Sequence, residues 1–89
     1  MAIYVVAYDL NKEIHRPNIT AEIKKYEWRL LYESSYAIKT NETPTQVYNK
    51  LKPLIDANDN IYVISLRKPY MGFGPKDTNE WLDKNLPQQ

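Results

Sequence analysis

The sequence predicts one small α+β domain in which strand, helix, two strand pieces, helix and strand follow one another. Three observations carry this expectation. Residues 2 to 9 alternate between two faces, and almost every one is β-branched, aromatic or small. Thr43-Pro44-Thr45-Gln46 has the composition of a helix start, and Val47, Leu51, Leu54 and Ile55 follow on one stripe. The chain has 89 residues, room for one hydrophobic core and not two.

In the first strand Ile3, Val5 and Ala7 fall on one face and Tyr4, Val6 and Tyr8 on the other. Neither face is polar, so the strand belongs near the middle of a sheet covered on both sides, and Asp9 closes it. Leu10 to Pro17 is turn-like, with Pro17 suited to the first turn of a helix. Ile19, Ile23 and Tyr26 recur at helical spacing while Glu22, Lys24 and Lys25 take the solvent side, giving a helix from about Pro17 to Glu27. Trp28 to Thr40 is rich in strand formers and is interrupted by Ser34-Ser35, which fits either a hairpin or one bent strand. Thr43 caps the second helix with Gln46 completing a capping box, and Pro53 kinks or ends its last turn. After the turn cluster 56–60, Ile61 to Leu66 forms the last core strand. Beyond Arg67, Pro69, Gly72, Gly74 and Pro75 break regular structure, and Asp77 with Glu80 caps a short helix carrying Trp81, Leu82 and Leu86.

This order fits the ferredoxin-like βαββαβ fold, an antiparallel sheet with two helices on one face. Residues 1–68 make the core domain and 69–89 a C-terminal tail. With both helices on one side, the other face stays open, and Tyr4, Val6 and Tyr8 are expected there. A second copy of the chain is the simplest cover, so a homodimer is expected.

Composition limits the function classes. With no cysteine, disulfides and thiolate metal sites are excluded and a reducing cytoplasm is expected. The apolar run at the N-terminus is too short for a membrane span and lacks the pattern of a secretory signal, so a soluble, cytoplasmic protein with no membrane partner is expected. A formal charge of +1 argues against strong non-specific binding of nucleic acid and leaves room for a local basic patch. Eight Tyr, two Trp and one Phe suit half-buried faces, interfaces and base-stacking platforms alike.

Val5-Val6-Ala7-Tyr8-Asp9-Leu10 resembles the opening strand of the small CRISPR-associated adaptation nucleases, which ends on an aspartate. Ser35-Tyr36-Ala37 stands where that family has a second-strand serine followed by apolar residues, and Leu54-Ile55-Asp56 with Asp59-Asn60-Ile61-Tyr62 resembles its approach to the last strand. The virulence-associated D endoribonucleases of the same superfamily are similar more loosely. Short proteins of the SinR family are more similar over nearly the whole chain, through Tyr8-Asp9-Leu10-Asn11-Lys12, Asn58-Asp59, Gly72-Phe73 and Glu80-Trp81-Leu82. The resemblance implies a homodimer in which aspartates of the two first strands meet and bind Mg2+ or Mn2+ for phosphodiester hydrolysis of RNA or DNA. Asp9 is the matching residue. The chain departs from the family pattern in two places. An acidic residue after the second-strand motif would fall near Ile38, and the basic run opening the first helix is reduced to Lys12, His15 and Arg16.

The candidate site residues each have two readings. Asp9 is a metal ligand and the catalytic carboxylate, since magnesium takes one or two carboxylates and keeps several waters, or it is a strand-end acid bonded to the next turn. His15 is a general base or phosphate contact, or an exposed loop histidine. Lys12 and Arg16, with Lys24 and Lys25, form a phosphate-binding edge or a solvated surface. Tyr8 and Tyr36, with Tyr4 and Tyr62, stack bases or pack a dimer, while Asn11 and Ser35, each in a matching motif, are candidate nucleic-acid or ligand contacts. Trp28 and Trp81 are core or interface anchors. The alternative function is a non-catalytic dimer holding a small nucleotide or a protein partner in its interface cleft.

Overall fold

In a computed structural model, described for residues 1–88, the chain forms the expected order of elements, including the short C-terminal helix. Strand β1 (Ala2–Asp9) leads through a 3-10 turn (Glu13–His15) into helix α1 (Arg16–Ile23). Strands β2 (Glu27–Tyr32) and β3 (Ser35–Thr40) follow, so the interruption at Ser34 is a hairpin turn and not a bend in one strand. Helix α2 (Pro44–Leu51) continues as a 3-10 turn (Lys52–Leu54), then come β4 (Asn60–Ser65) and α3 (Lys76–Asn85). The sheet is antiparallel throughout, in the order β2-β3-β1-β4, as a ferredoxin-like domain requires.

Local chemistry explains the boundaries. Thr43 Oγ1 accepts from the Gln46 backbone N–H at 3.1 Å and Gln46 Oε1 from the Thr43 N–H at 2.8 Å, the reciprocal pair predicted for α2. Pro53 has no N–H to continue an α-helical ladder, and the chain tightens into the 3-10 turn around it. Helix α1 ends four residues earlier than its pattern suggests. Glu27 already pairs with Lys39 in the sheet, so residues 24–26 must turn, and Tyr26 packs beside the core from that turn.

The main core lies between the sheet and α1–α2. Ile19, Ile23, Val47 and Leu51 are fully buried there, each contributing about 1.5–3 kcal/mol of apolar burial. The strand face beneath them carries Tyr4, Val6 and Tyr8 with Tyr36, Ile38 and Ile61. The faces of β1 are therefore assigned opposite to the sequence-based expectation. Tyr4, Tyr8 and Tyr36 sit under the helices, and Ile3, Val5 and Ala7 look the other way.

That second face is not left wholly open either. Helix α3 folds back over it, and Leu82 and Leu86 pack on Ile3 and Ala37 with Leu31, Leu66, Tyr70 and Trp81 around them. Polar ties hold both ends of the helix to β2 and β3. Arg29 donates to Asp77 at 3.3 Å, and Lys39 Nζ donates to Asn85 Oδ1 at 2.9 Å. Asp77 thus reaches across to the sheet and does not cap its own helix, which starts after Pro75. The tail is a working layer of the fold. Val5 and Ala7 remain only half covered, and Tyr62 (64%) and Ile64 (52%) stay exposed beside them.

Candidate functional site

One end of the sheet gathers most of the singled-out residues. Strand β1 finishes there at Asp9, opposite Asn60 of β4, and the loops 10–15 and 55–59 fold over the same end. Asp59 ties these loops together. Its Oδ1 accepts the Asn11 backbone N–H at 2.6 Å, and its Oδ2 accepts the Asp56 N–H at 2.9 Å and lies 3.1 Å from His15 Nδ1. The backbone N–H of Asp56, then that of Asn11 and the His15 ring, favour the ionised form and hold the Asp59 carboxyl below its ordinary range. Asp56 turns one oxygen to the Asn58 N–H at 2.8 Å and leaves the other 3.9 Å from His15 Nδ1.

His15, Asp56 and Asp59 each offer one ligand atom, all within 4.8 Å of one another. Both Asp59 oxygens already accept backbone N–H groups, so the trio acts first as a clasp between two loops. Its members were visible in the sequence only separately, His15 as a loop histidine and Asp56 and Asp59 as turn formers. Their meeting across more than 40 residues depends on β1 pairing with β4.

Arg16 is occupied inside the protomer. It makes a two-pronged pair with Glu13 at 2.6 and 3.0 Å, donates to the Glu33 carbonyl and the Ser34 hydroxyl at 3.1 Å each, and lies over the Tyr8 ring. That pairing lowers the Glu13 carboxyl, and it fixes the start of α1 against the β2–β3 turn. The guanidinium expected at a basic edge is thus engaged by Glu13, Glu33 and Ser34 of its own protomer. Tyr8 (5% exposed) and Tyr36 (6%) are removed from any ligand surface, and burial pushes the Tyr8 hydroxyl up. Trp28 lies on the helix side at the β2 edge, its ring edge-on to Tyr36 and under Lys24 Nζ, while Trp81 packs beside the second core cluster.

The residues left facing outward are Asp9, Asn11 and Lys12, with His15 and Ser35 partly covered. The sheet register puts Asp9 on the second face together with Ala7, Ser35, Asn60 and Tyr62. Asp9 is exposed there, and no side-chain hydrogen bond among the described residues engages it, unlike Asp56 and Asp59. A hard carboxylate oxygen, a serine hydroxyl and an exposed tyrosine ring border one half-covered apolar surface. These groups can ligate a hard cation, contact phosphate and stack on a base. Ile38, where the adaptation nucleases place an acid, is fully buried beneath the helices.

No family model matches the chain. Among solved structures, the crystal structure of the hypothetical protein TT1823 from Thermus thermophilus is similar with a TM-score of 0.67 and 20% identity, covering 83% of this chain and 94% of that one. The likeness supports the fold. Among the described residues, no helix is long and apolar enough to cross a membrane.

Proposed function

We propose that the chain works on nucleic acid as a homodimer, with Asp9 of each protomer beside the dimer axis and Mg2+ or Mn2+ held between them. The observation that carries this reading is the place of Asp9. It is an uncommitted carboxylate at the rim of the half-covered sheet face, next to Ser35 and Tyr62. A twofold contact over that face supplies a second Asp9, and two carboxylates with water complete the donor set that magnesium favours. A bound divalent cation supplies a lowered water pKa and charge neutralisation for phosphodiester hydrolysis. Asn11 and Lys12 flank the pair as phosphate contacts, and Tyr62 offers a stacking surface.

Incubating the purified protein with labelled RNA and DNA and either metal tests the reading. Products from the wild type and none from Asp9→Ala are expected. Equal cleavage by both proteins removes Asp9 from the chemistry. A non-catalytic dimer that holds a small nucleotide or a protein partner is the second reading, favoured by Ile38, a fully buried apolar residue near the position where the resemblance implies an acid. It expects nucleotide-dependent thermal stabilisation without turnover, and a flat thermal shift across the nucleotides would count against its small-ligand form.

A further inference from the structure

Between β4 and α3 the segment 66–75 crosses the second face as an arm. Its root is fixed: the Leu66 N–H donates to the Ile3 carbonyl at 2.8 Å and the Lys68 N–H to the Pro87 carbonyl at 2.7 Å. Tyr70 pins its middle to α3, donating to the Asn79 carbonyl at 3.1 Å and lying 3.0 Å from Asp83 Oδ1. Beyond Tyr70 the arm changes character. Met71 (98%) and Phe73 stand wholly in solvent. A Cβ on Gly74 would meet nothing within 4 Å, and one on Gly72 would come no closer than 3.6 Å to Asn79. The glycines are thus not required by crowding; they leave the backbone beside Phe73 free to adjust.

Alongside this tip runs a cleft of about 440 Å3. Leu31, Leu66, Leu82 and Leu86 line its floor together with Tyr32; Met71 and Phe73 of the protomer's own arm border its open side, and the lining is chiefly apolar. One chain therefore carries an apolar slot and an unburied aromatic finger at its lip.

We propose that the finger of one protomer, Phe73 with Met71, seats in the cleft of a second copy, each protomer giving and receiving once about a twofold axis. The inference rests on the dimeric reading above and names what makes that dimer. Two arguments select a second copy as the occupant. First, slot and finger occur once each in the same chain, so a closed twofold buries both together. Second, the area suffices. At roughly 200 Å2 for an aromatic side chain, Tyr32, Tyr62 and Phe73 together with Met71 and Ile64 offer on the order of 700 Å2, near the ~800 Å2 that each partner of a stable complex covers. The placement also joins the site: Tyr32 pairs with Ser35, and Ser35 with Ala7, the row beside Asp9. Exchange of fingers at that end brings the two Asp9-bearing ends together.

Mixed dimers of 13C-labelled and unlabelled protomers, read by isotope-filtered nuclear Overhauser spectra, test the exchange. Contacts from the Phe73 ring of one protomer to the Leu82 and Leu86 methyl groups of its partner are expected. In sedimentation, Phe73→Ser should weaken self-association by about tenfold or more, the worth of burying one such side chain. Met71→Ser should weaken it less, and both variants should unfold as cooperatively as the wild type. A dimer with no cross-protomer contacts from Phe73, or one untouched by Phe73→Ser, overturns the exchange and leaves the dimeric reading standing. A lone protomer at hundreds of micromolar overturns both.

Discussion

Replacing Leu82 by alanine asks whether α3 is a structural layer or an appendage. Leu82 is 8% exposed and packs in a cluster with Ile3, Ala37 and Leu86, all at or below 6% exposed. Truncation of a buried leucine costs about 2–5 kcal/mol, part lost transfer energy and part residual cavity. This cluster is small, and α3 is held at both ends by Arg29–Asp77 and Lys39–Asn85, so collapse around the gap is restricted and about 3 kcal/mol is expected. A domain of this length has a total stability of roughly 5–13 kcal/mol. The loss is therefore a large share of it and should lower Tm by about 12–24 °C. Guanidinium unfolding followed by tryptophan fluorescence, at one fixed protomer concentration, measures it; Trp28 and Trp81 report from the two sides of the sheet. Glu80→Ala, on the exposed side of the same helix, should change stability by less than about 0.5 kcal/mol. A Leu82→Ala cost as small as that control, or a separate early transition seen by Trp81 alone, would refute the account of α3 as part of the core.

Three further outcomes are expected. Thr43→Ala removes one arm of the capping box on α2 and should cost about 1 kcal/mol in denaturant titration, whereas Thr43→Ser should cost far less. Arg16→Lys should not substitute for arginine, because a single ammonium cannot hold Glu13, the Glu33 carbonyl and Ser34 together; faster amide exchange around Ser34 and Ser35 is the readout. Asp59 has a folded-state carboxyl below its ordinary value of 3.8, so its contribution is present above that pH and is lost as pH falls through the folded value. Asp59→Asn should therefore flatten the acid limb of the stability curve, and an unchanged acid limb would show that the carboxylate does not clasp the loops.

Much of the fold was legible because each element carries its own local signal. The alternation of residues 2 to 9 marks β1, and Thr43 with Gln46 marks the first turn of α2. The site was legible only residue by residue. Asp9 and Ser35 were singled out and do share a face, because the register joins Ala7 to Ser35 and Asp9 to Asn60. Arg16 was read as a free cation since nothing local shows that its partners lie in the turn at Glu33 and Ser34. Asp59 was read only as part of a turn for the same reason: its role is made by Asn11 and His15, which only tertiary structure brings near.

The inverted faces of β1 have a physical reason that lies in side-chain volume. Alternation separates Tyr4, Val6 and Tyr8 from Ile3, Val5 and Ala7 without saying which set meets the helices. Two helices leave a broad layer to fill, and the tyrosines fill it while their polar ends reach its margins: the Tyr4 hydroxyl donates to the Glu42 carbonyl at 2.6 Å, and the Tyr8 hydroxyl meets Arg16 at 3.5 Å. The other set is smaller than the tyrosines, and Ala37 lies beside Val5 on the same face, so one helix can approach the sheet closely with Leu82, Leu86 and Trp81 as anchors. The same economy of volume leaves Val5 and Ala7 half covered once α3 has docked over β2 and β3. A shallow floor that includes Val5 and Ala7, bordered by exposed Tyr62 and Ile64 and ending at Asp9, is the part of the sheet that the packing of this chain leaves uncovered.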